Sequence, residues 1–424
     1  MKYIKLFEEW LADKSQPLLL EGGASGHMSH PFDDKNLTFN DFKKIIDAGL
    51  RGNLNFEEEA TEKTDGQNLW ATIQNGEVKF ARNKGDSQNP MSLSEIITKF
   101  EGHASKGVQD TFQFAARDLA KLLIKLPAKK QEEIFDNGKN FINMELIYSQ
   151  NPNVINYDTD VIQFHNITKT DGKGNVIGID GRPAKEIPAI LKKIQSDMGK
   201  TFQIIPPRII KLQKDLDFTA NKKKFDDKII ALQNRYGLLD SDEVSKYHEM
   251  WWRELIDNEF PDLSQDVKEG LLLRWAYGDK KSLNWRSLEK QIDSKEMADL
   301  IKKFDKEDVS KKYKENIRPF EDLFLELGSV ILKNASNFVA ANPSAEAQRL
   351  RTYLSKEADK IKKNGGAAEV AKVEAELARL DRIGGMDSIY PTEGIVFKYN
   401  GKLFKLTGTF AALNQLLGII KYGR

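Results

Sequence analysis

The chain has no cysteine, which removes disulfide frameworks, thiolate nucleophiles and Cys-ligated zinc or iron–sulfur sites from consideration. Long hydrophobic runs are missing too: no stretch approaches the roughly 18 to 20 consecutive apolar residues of a membrane span. Charge of one sign is not in excess either, since 65 Lys and Arg stand against 64 Asp and Glu for a formal net charge of +1. Global electrostatics therefore announce no nucleic-acid partner, and any such surface must be local. What is present is a 40% hydrophobic and 30% charged composition, that of a soluble globular protein with a large solvated surface, which excludes collagen-like and wholly disordered chains. At 424 residues the length exceeds what one hydrophobic core organises, so two or three domains are expected.

The first segment, MKYIKLFEEWLADKSQPLLLEGGASGH, carries Ile4, Phe7, Trp10 and Leu11 at helical spacing, with Glu8, Glu9 and Asp13 opposite. Those acids exclude a signal-peptide core. Gln16-Pro17 should end the helix, and Gly22, Gly23 and Gly26 should form a joint, so residues 1–21 read as a detachable leader. An amphipathic helix is expected over about 37–50. NLWATIQNGEVKFAR then alternates around Asn75-Gly76, a strong hairpin signal. Helical periodicity follows over 93–125, and FINMELIYS and VIQFHNITKT read as two further strands. From about 185 to 382 the pattern is almost wholly helical, with lysine-rich stretches at Lys222, Lys223 and Lys224 and between Lys302 and Lys314. EGIVFKYNGKLFKLTG returns as a hairpin turning at Asn400-Gly401, and a short apolar helix starts at Phe410. The expected class is α+β, an antiparallel β core interrupted by a large helical insertion. Its expected parts are a leader at 1–21, core at 22–184, insertion at 185–385 and core again at 386–424.

The chemistry is carried by Glu62-Lys63-Thr64-Asp65-Gly66-Gln67-Asn68 at the entrance to the first hairpin. A lysine at a junction between strands, beside a glycine that admits close approach to the backbone, can serve as a covalent nucleophile if its pKa is lowered. Alone this is a weak signal. It has company in a fixed order: Arg82 after the next strand, Glu145 in FINMELIY, Phe164 and His165 in VIQFHNI, Glu393 and Lys398 in EGIVFK, and Lys405 in LFKLTG.

In these residues the chain resembles the covalent nucleotidyltransferase superfamily of ATP-dependent DNA ligases, RNA ligases and mRNA capping enzymes. That family orders its motifs as KxxG, a strand arginine, a strand glutamate, an adenine-stacking aromatic, EGhhhK and a lysine-bearing strand. The resemblance covers about residues 40–170 and 388–410, and it implies an antiparallel adenylation core using ATP with Mg²⁺ or Mn²⁺. It implies that Lys63 attacks the ATP α-phosphorus to form a lysyl-AMP while pyrophosphate leaves. Around it Glu62, Asp65, Gly66 and Asn68 would line the nucleotide, and Arg82 would hold a ribose or phosphate oxygen as a bidentate fork. Glu145 would take the ribose hydroxyls or a metal, and Glu393 would help hold Mg²⁺, a hard ion preferring oxygen ligands. Lys398 and Lys405 would neutralise phosphates and, with the metal, disfavour the Lys63 ammonium. Phe164 and His165 are adjacent on a strand, so one of the two faces the adenine.

Departures from the family pattern refine the reading. Lys405 is followed by Leu406 and Thr407, where the family usually has a second lysine two positions on. Asp65 gives the DNA-ligase form of the first motif, whereas Asn68 gives the RNA-ligase form. Little chain follows Gly408, which leaves no room for the C-terminal OB domain of DNA ligases and capping enzymes and favours the RNA-ligase side. The expected activity is ATP-dependent joining of 5′-phosphate and 3′-hydroxyl ends in nicked duplex RNA, DNA or hybrid. A DNA nick ligase and a non-sealing nucleic-acid-binding protein of a capsid interior are the alternatives.

The leader is similar to the capsid-targeting peptides of large contractile-tailed bacteriophages, which are cut after Leu/Ile-x-Glu before Gly or Ala; Leu19-Leu20-Glu21-Gly22 supplies that pattern. This implies a host cytoplasm or virion location and no membrane partner. His27 and His30 have no acidic partners at ligand spacing and read as loop residues. Trp251, Trp252, Trp275 and Trp285 read as core of the insertion, with a stacking platform for a single strand as the alternative. The lysine runs are interspersed with Asp and Glu and read as solvated faces.

Overall fold

In the computed structural model, residues 28–173, 175–195, 201–277, 285–292 and 294–422 are described. The expected leader at 1–21, with His27, lies outside them. The chain is mixed helix and antiparallel sheet, with 56% of it helical and 17% strand, which is an α+β composition. It forms two compact units. One comprises His30–Leu50 and Leu216–Phe324; the other comprises Arg51–Asp215 and Leu325–Arg424 together with Ser29.

All strands belong to the second unit. They are β1 (Thr61–Lys63), β2 (Gln67–Gln74), β3 (Glu77–Ala81), β4 (Asn140–Ile147), β5 (Val161–Thr170), β6 (Val176–Asp180), β7 (Gln203–Ile205), β8 (Lys211–Leu212), β9 (Ala335–Ser336), β10 (Gly394–Tyr399) and β11 (Lys402–Leu406). The larger sheet runs β3-β2-β4-β5-β6, with β7 added parallel to β5; the smaller runs β1-β10-β11. Both hairpins turn where the sequence places them. Asn75-Gly76 has φ of 52° and 75°, and Asn400-Gly401 has 49° and 74°. Positive φ at both central residues is what a type I′ turn demands and what Asn-Gly tolerates.

Alternation along β2 sorts the larger sheet into two faces. Leu69, Ala71 and Ile73 enter a core with Phe80, Met144, Leu146 and Ile162. That core is completed by the helices Leu93–Glu101 and Lys106–Leu123 through Ile96, Phe112, Ala115 and Leu119. Both helices start on a serine whose hydroxyl accepts a backbone N–H, Ser92 from Glu95 and Ser105 from Val108. The opposite face of β2 carries Asn68, Trp70 and Thr72.

The structure divides the chain at other places than the boundaries at 184/185 and 385/386. β7 hydrogen-bonds to β5 through Gln203, Ile204 and Ile205, so the segment after 185 is still part of the strand-bearing unit. The helices Pro343–Asn364 and Ala367–Ile383 bury Leu350, Leu354, Val373 and Leu380 against Ile147, Ile155, Tyr157 and the closing helix Phe410–Tyr422. The inserted compact part is thus shorter. Within the strand-bearing unit β8 pairs with β9, Lys211 opposite Ser336 and Leu212 opposite Ala335.

The helical unit is built on a core of Trp252, Ile256, Leu271, Trp275 and Ile301, with Trp251 and Trp285 packed partly buried against it. The tryptophans are therefore core residues. The lysines are locally matched: Lys222 to Asp226 at 2.7 Å, Lys223 to Asp227 at 2.5 Å, Lys311 to Asp308 and Lys312 to Glu315, each at 3.1 Å. These are helix-surface pairs three or four residues apart.

At Gly394 the smaller sheet tolerates no side chain. Its φ is 153°, and a Cβ there would lie 2.2 Å from the carbonyl oxygen of Leu406. Gly76 also has positive φ, 75°, but nothing lies within 4 Å of its Cβ position. Gly76→Ala is expected to cost about 1 to 2 kcal/mol, the backbone penalty alone, and Gly394→Ala roughly 3 kcal/mol or more, because overlap is added. Denaturant midpoints of the two variants check this; equal losses would show that the β10–β11 contact yields without cost.

Candidate functional site

The site begins with β1. Thr61, Glu62 and Lys63 pair with Val396, Ile395 and Gly394 of β10, so segments far apart in the chain become neighbours, Thr392 lying 329 residues after Lys63. Glu393 N–H donates to the Lys63 carbonyl at 3.1 Å, and Thr392 Oγ1 both donates to that carbonyl and accepts from Gly394 N–H at 3.2 Å. This places the Glu393 carboxylate on the Lys63 ammonium, Oε1 to Nζ 2.6 Å, with both side chains about a fifth exposed. Paired residues on adjacent strands share a face, and alternate residues on one strand do too. Val396 is opposite Lys405 and Lys398 is opposite Leu403. Lys63, Lys398 and Lys405 therefore lie on one face of the smaller sheet.

The larger sheet contributes a polar row. Asn68 of β2, Glu145 of β4 and Gln163 of β5 are directly opposite one another in register. Gly66 leads into this row, and a Cβ on it would lie 2.5 Å from the Leu146 carbonyl oxygen. The backbone that approaches Gly66 is therefore that of β4. Asn68 Nδ2 donates to Asn143 Oδ1 at 2.6 Å. Arg82 donates through Nη1 to the Asn68 carbonyl, and its guanidinium lies 4.4 Å from the centre of the Phe112 ring.

A register shift lies at the two candidate aromatics. β4 and β5 pair Asn143 with Asn166 but Met144 with Phe164, so one extra residue, His165, is accommodated in β5. Bulges of this kind turn side chains off the regular alternation. Phe164 is fully buried in the hydrophobic core, so it is corrected from a candidate adenine-stacking ring to a packing residue. His165 falls on the polar face, with Nε2 3.6 Å from Glu145 Oε2.

The charges interact strongly. Burial is the largest influence on Lys63 and favours the neutral amine, but Glu393, Glu145 and Asp65 outweigh it, and the net shift of the lysine is upward. The expectation that Lys398 and Lys405, together with a bound metal, disfavour its ammonium concerns the metal-loaded site; among the protein's own side chains alone the shift is the opposite. The physical reason is that carboxylates are its close partners, while Lys398 Nζ pairs with Glu58 at 2.9 Å. Burial lowers the pKa of Arg82, against the pull of Glu145 and Asp86.

Two of the expected nucleotide-lining acids do structural work instead. Asp65 is pushed up to about 6, chiefly by burial and then by the Glu393 charge. Its oxygens accept from Asn153 Nδ2 at 2.6 Å and from Val154 and Ile155 N–H at 2.6 and 2.9 Å, and its own N–H donates to Tyr157 Oη at 2.8 Å. Asp65 therefore pins the loop between β4 and β5. Glu62 alternates to the face of β1 away from Lys63, where it is fully buried and accepts from Val339 N–H at 2.6 Å.

Sequence reasoning missed Tyr157, Thr392 and Gln163. Tyr157 and Thr392 act through hydrogen bonds to chain segments distant in sequence, and nothing in their local spacing marks them. Gln163 is fully buried, and neither its Oε1 nor its Nε2 has a hydrogen-bond partner among the described residues. Among the described residues no three His, Asp or Glu side chains are gathered to cage a metal, and no helix is long and apolar enough to cross a membrane. No family model, no curated protein and no solved structure matches the chain.

Burial raises the Glu62 carboxyl from its ordinary 4.5 to about 8, against the hydrogen bond from Val339 and the charge of Arg208. Between those two values the folded state holds a proton that the unfolded chain has released, so stability is lost as pH rises across that window. Glu62→Gln keeps an acceptor for Val339 N–H and cannot ionise. Relative to this variant, the wild-type protein is expected to lose stability between about pH 5 and about pH 8, read from denaturant midpoints. A pH-independent difference would contradict the burial account of Glu62.

Proposed function

We propose that the strand-bearing unit is an ATP-dependent polynucleotide ligase of the RNA-ligase type that works through a lysyl-AMP intermediate. The observation that carries this reading is the convergence of Lys63 and Glu393, brought together by the β1–β10 register with Lys398 and Lys405 on the same sheet face. A half-buried lysine among charged partners is also common in purely structural ion pairs, and what separates this one is that it also feels the charge of Glu145, which stands in the polar row Asn68, Glu145 and Gln163 of the larger sheet.

In the proposed reaction Lys63 Nζ forms a bond to the α-phosphorus of ATP, and the bond from that phosphorus to the pyrophosphate oxygen breaks. The AMP then passes to a 5′-phosphate, and attack by a 3′-hydroxyl seals the strand and releases AMP. Glu393 and Glu145 are the oxygen ligands that would hold Mg²⁺ or Mn²⁺. Among the described residues no third acid joins them, and an ion held mainly by substrate phosphates, as Mg²⁺ commonly is, needs none; when bound it would supply charge neutralisation for the leaving pyrophosphate. An ion held by Glu393 would draw on the carboxylate charge that otherwise favours the Lys63 ammonium. Burial, the largest influence on that lysine, would then favour the nucleophilic amine. In this reading Lys405 and Lys398 would neutralise phosphate oxygens, the latter after release from Glu58. Asn68 supports the RNA-ligase side, while Asp65, tied to the β4–β5 loop, carries little weight for DNA.

The test uses α-labelled ATP with divalent ion, followed by nicked duplexes. Wild-type protein is expected to take up one acid-labile AMP, and Lys63→Ala none, with its fold intact because a partly exposed lysine contributes little to a core. Glu393→Ala is expected to lose at least about tenfold in adduct rate. Sealing is expected to be fastest where the 3′-hydroxyl strand ends in ribonucleotides. Full adduct in Lys63→Ala sinks the assignment, and rates roughly tenfold higher on all-DNA nicks promote the DNA ligase.

A further inference from the structure

Gln163 is an anomaly in energetic terms. A buried amide with no partner costs about 1 to 3 kcal/mol relative to a satisfied one, and native structures rarely leave both ends of one side chain unpaired. Gln163 is nonetheless fully buried with both Oε1 and Nε2 unpartnered among the described residues. It is not alone: Asn68 Oδ1 and Thr64 Oγ1, both on the stretch that follows the Lys63 nucleophile candidate, are buried without partners as well. Of the unpartnered buried polar atoms among the described residues, those of Thr64, Asn68 and Gln163 belong to the candidate site.

The position is specific. Gln163 stands directly across from Glu145, which stands directly across from Asn68, and neighbouring strands are about 4.8 Å apart. On the next bend of the same strand the bulge delivers His165 beside Glu145, Nε2 to Oε2 3.6 Å. Glu145 is felt electrostatically by Lys63. A nucleotide with its α-phosphate at Lys63 and its ribose at Glu145 would therefore carry its base one strand further, onto β5. An amide offers one acceptor and one donor side by side. That is the complement of the adenine edge, an amino donor next to a ring-nitrogen acceptor.

Resting on the ligase reading above, we infer that Gln163 is the specificity-determining residue for the base, its Oε1 accepting from the 6-amino group and its Nε2 donating to the adjacent ring nitrogen. The cost of the unpaired amide is then recovered when adenine binds. This separates Gln163 from an ordinary structural amide, whose removal loosens the fold.

The experiment compares the rates at which Lys63 is labelled from ATP and from purine riboside triphosphate, which differs only in lacking the 6-amino group. Wild-type protein is expected to favour ATP by at least about tenfold, the cost of leaving Oε1 unpaired. Gln163→Met, an apolar side chain of similar length, is expected to bring that ratio to within about twofold, chiefly by slowing ATP. The same variant without nucleotide is expected to unfold at a higher temperature than wild type, because a buried unpaired amide has been removed. Gln163→Leu repeats the comparison should the methionine variant fold poorly. An unmoved ratio in the variants, or a lowered unfolding temperature with the wild-type ratio retained, overturns the assignment of Gln163. Wild-type protein that forms no adduct with either triphosphate overturns the ligase reading itself, and this inference with it.

Discussion

Three backbone pairings, Thr61 with Val396, Glu62 with Ile395 and Lys63 with Gly394, hold the candidate nucleophile beside its carboxylate. The two segments come from opposite ends of the chain, yet closing so long a connection is not prohibitive. Closure entropy grows only logarithmically, about 0.6 kcal/mol for each doubling of length, and the intervening helices form compact structure of their own. The β8–β9 ladder shortens the effective connection by pairing the segments before and after the insertion. Glycine at 394 lets the carbonyl of Leu406 approach so closely that no other residue could occupy the position without displacement.

That pairing also sets the chemistry of Lys63. A buried amine by itself tends toward neutrality, which suits a nucleophile, whereas a carboxylate at 2.6 Å favours the ammonium, which cannot attack. The second influence prevails in the structure. The arrangement therefore describes a guarded lysine, whose release depends on what else engages Glu393. Beneath it, on the far face of β1, Glu62 is buried with a pKa raised to about 8, so neighbouring residues of one short strand carry opposite electrostatic problems.

Much of this was legible in the sequence, for reasons that are local. Asn75-Gly76 and Asn400-Gly401 specify their turns through positive φ, and the alternation of Leu69, Ala71 and Ile73 specifies a buried face. The order of Lys63, Glu145, Glu393 and Lys405 pointed to one site, and the register places Lys63 and Lys405 on one sheet face. What escaped depends on partners far away in the chain. Simple alternation sends Phe164 and His165 to opposite faces but cannot say which faces the site; the burial of Phe164 with Met144 in the core and the contact of His165 with Glu145 decide it. Asp65 resembles a nucleotide-lining acid until its oxygens are seen to hold the backbone of Val154 and Ile155. The helices after 343 are amphipathic in either assignment, and only the packing of Leu350 and Leu354 on Ile155 and Tyr157 shows which unit they serve.

The central claim, that Glu393 governs the protonation of Lys63, is tested most directly by titrating that amine. Protein carrying ¹³C at the lysine ε-carbon, with the Lys63 resonance assigned from a Lys63→Arg variant, reports the ammonium pKa by NMR in wild type and in Glu393→Gln. The account predicts a pKa above the ordinary lysine value in wild type and a fall of at least about one unit in the variant, as burial prevails once the carboxylate charge is gone. An unchanged pKa would contradict it.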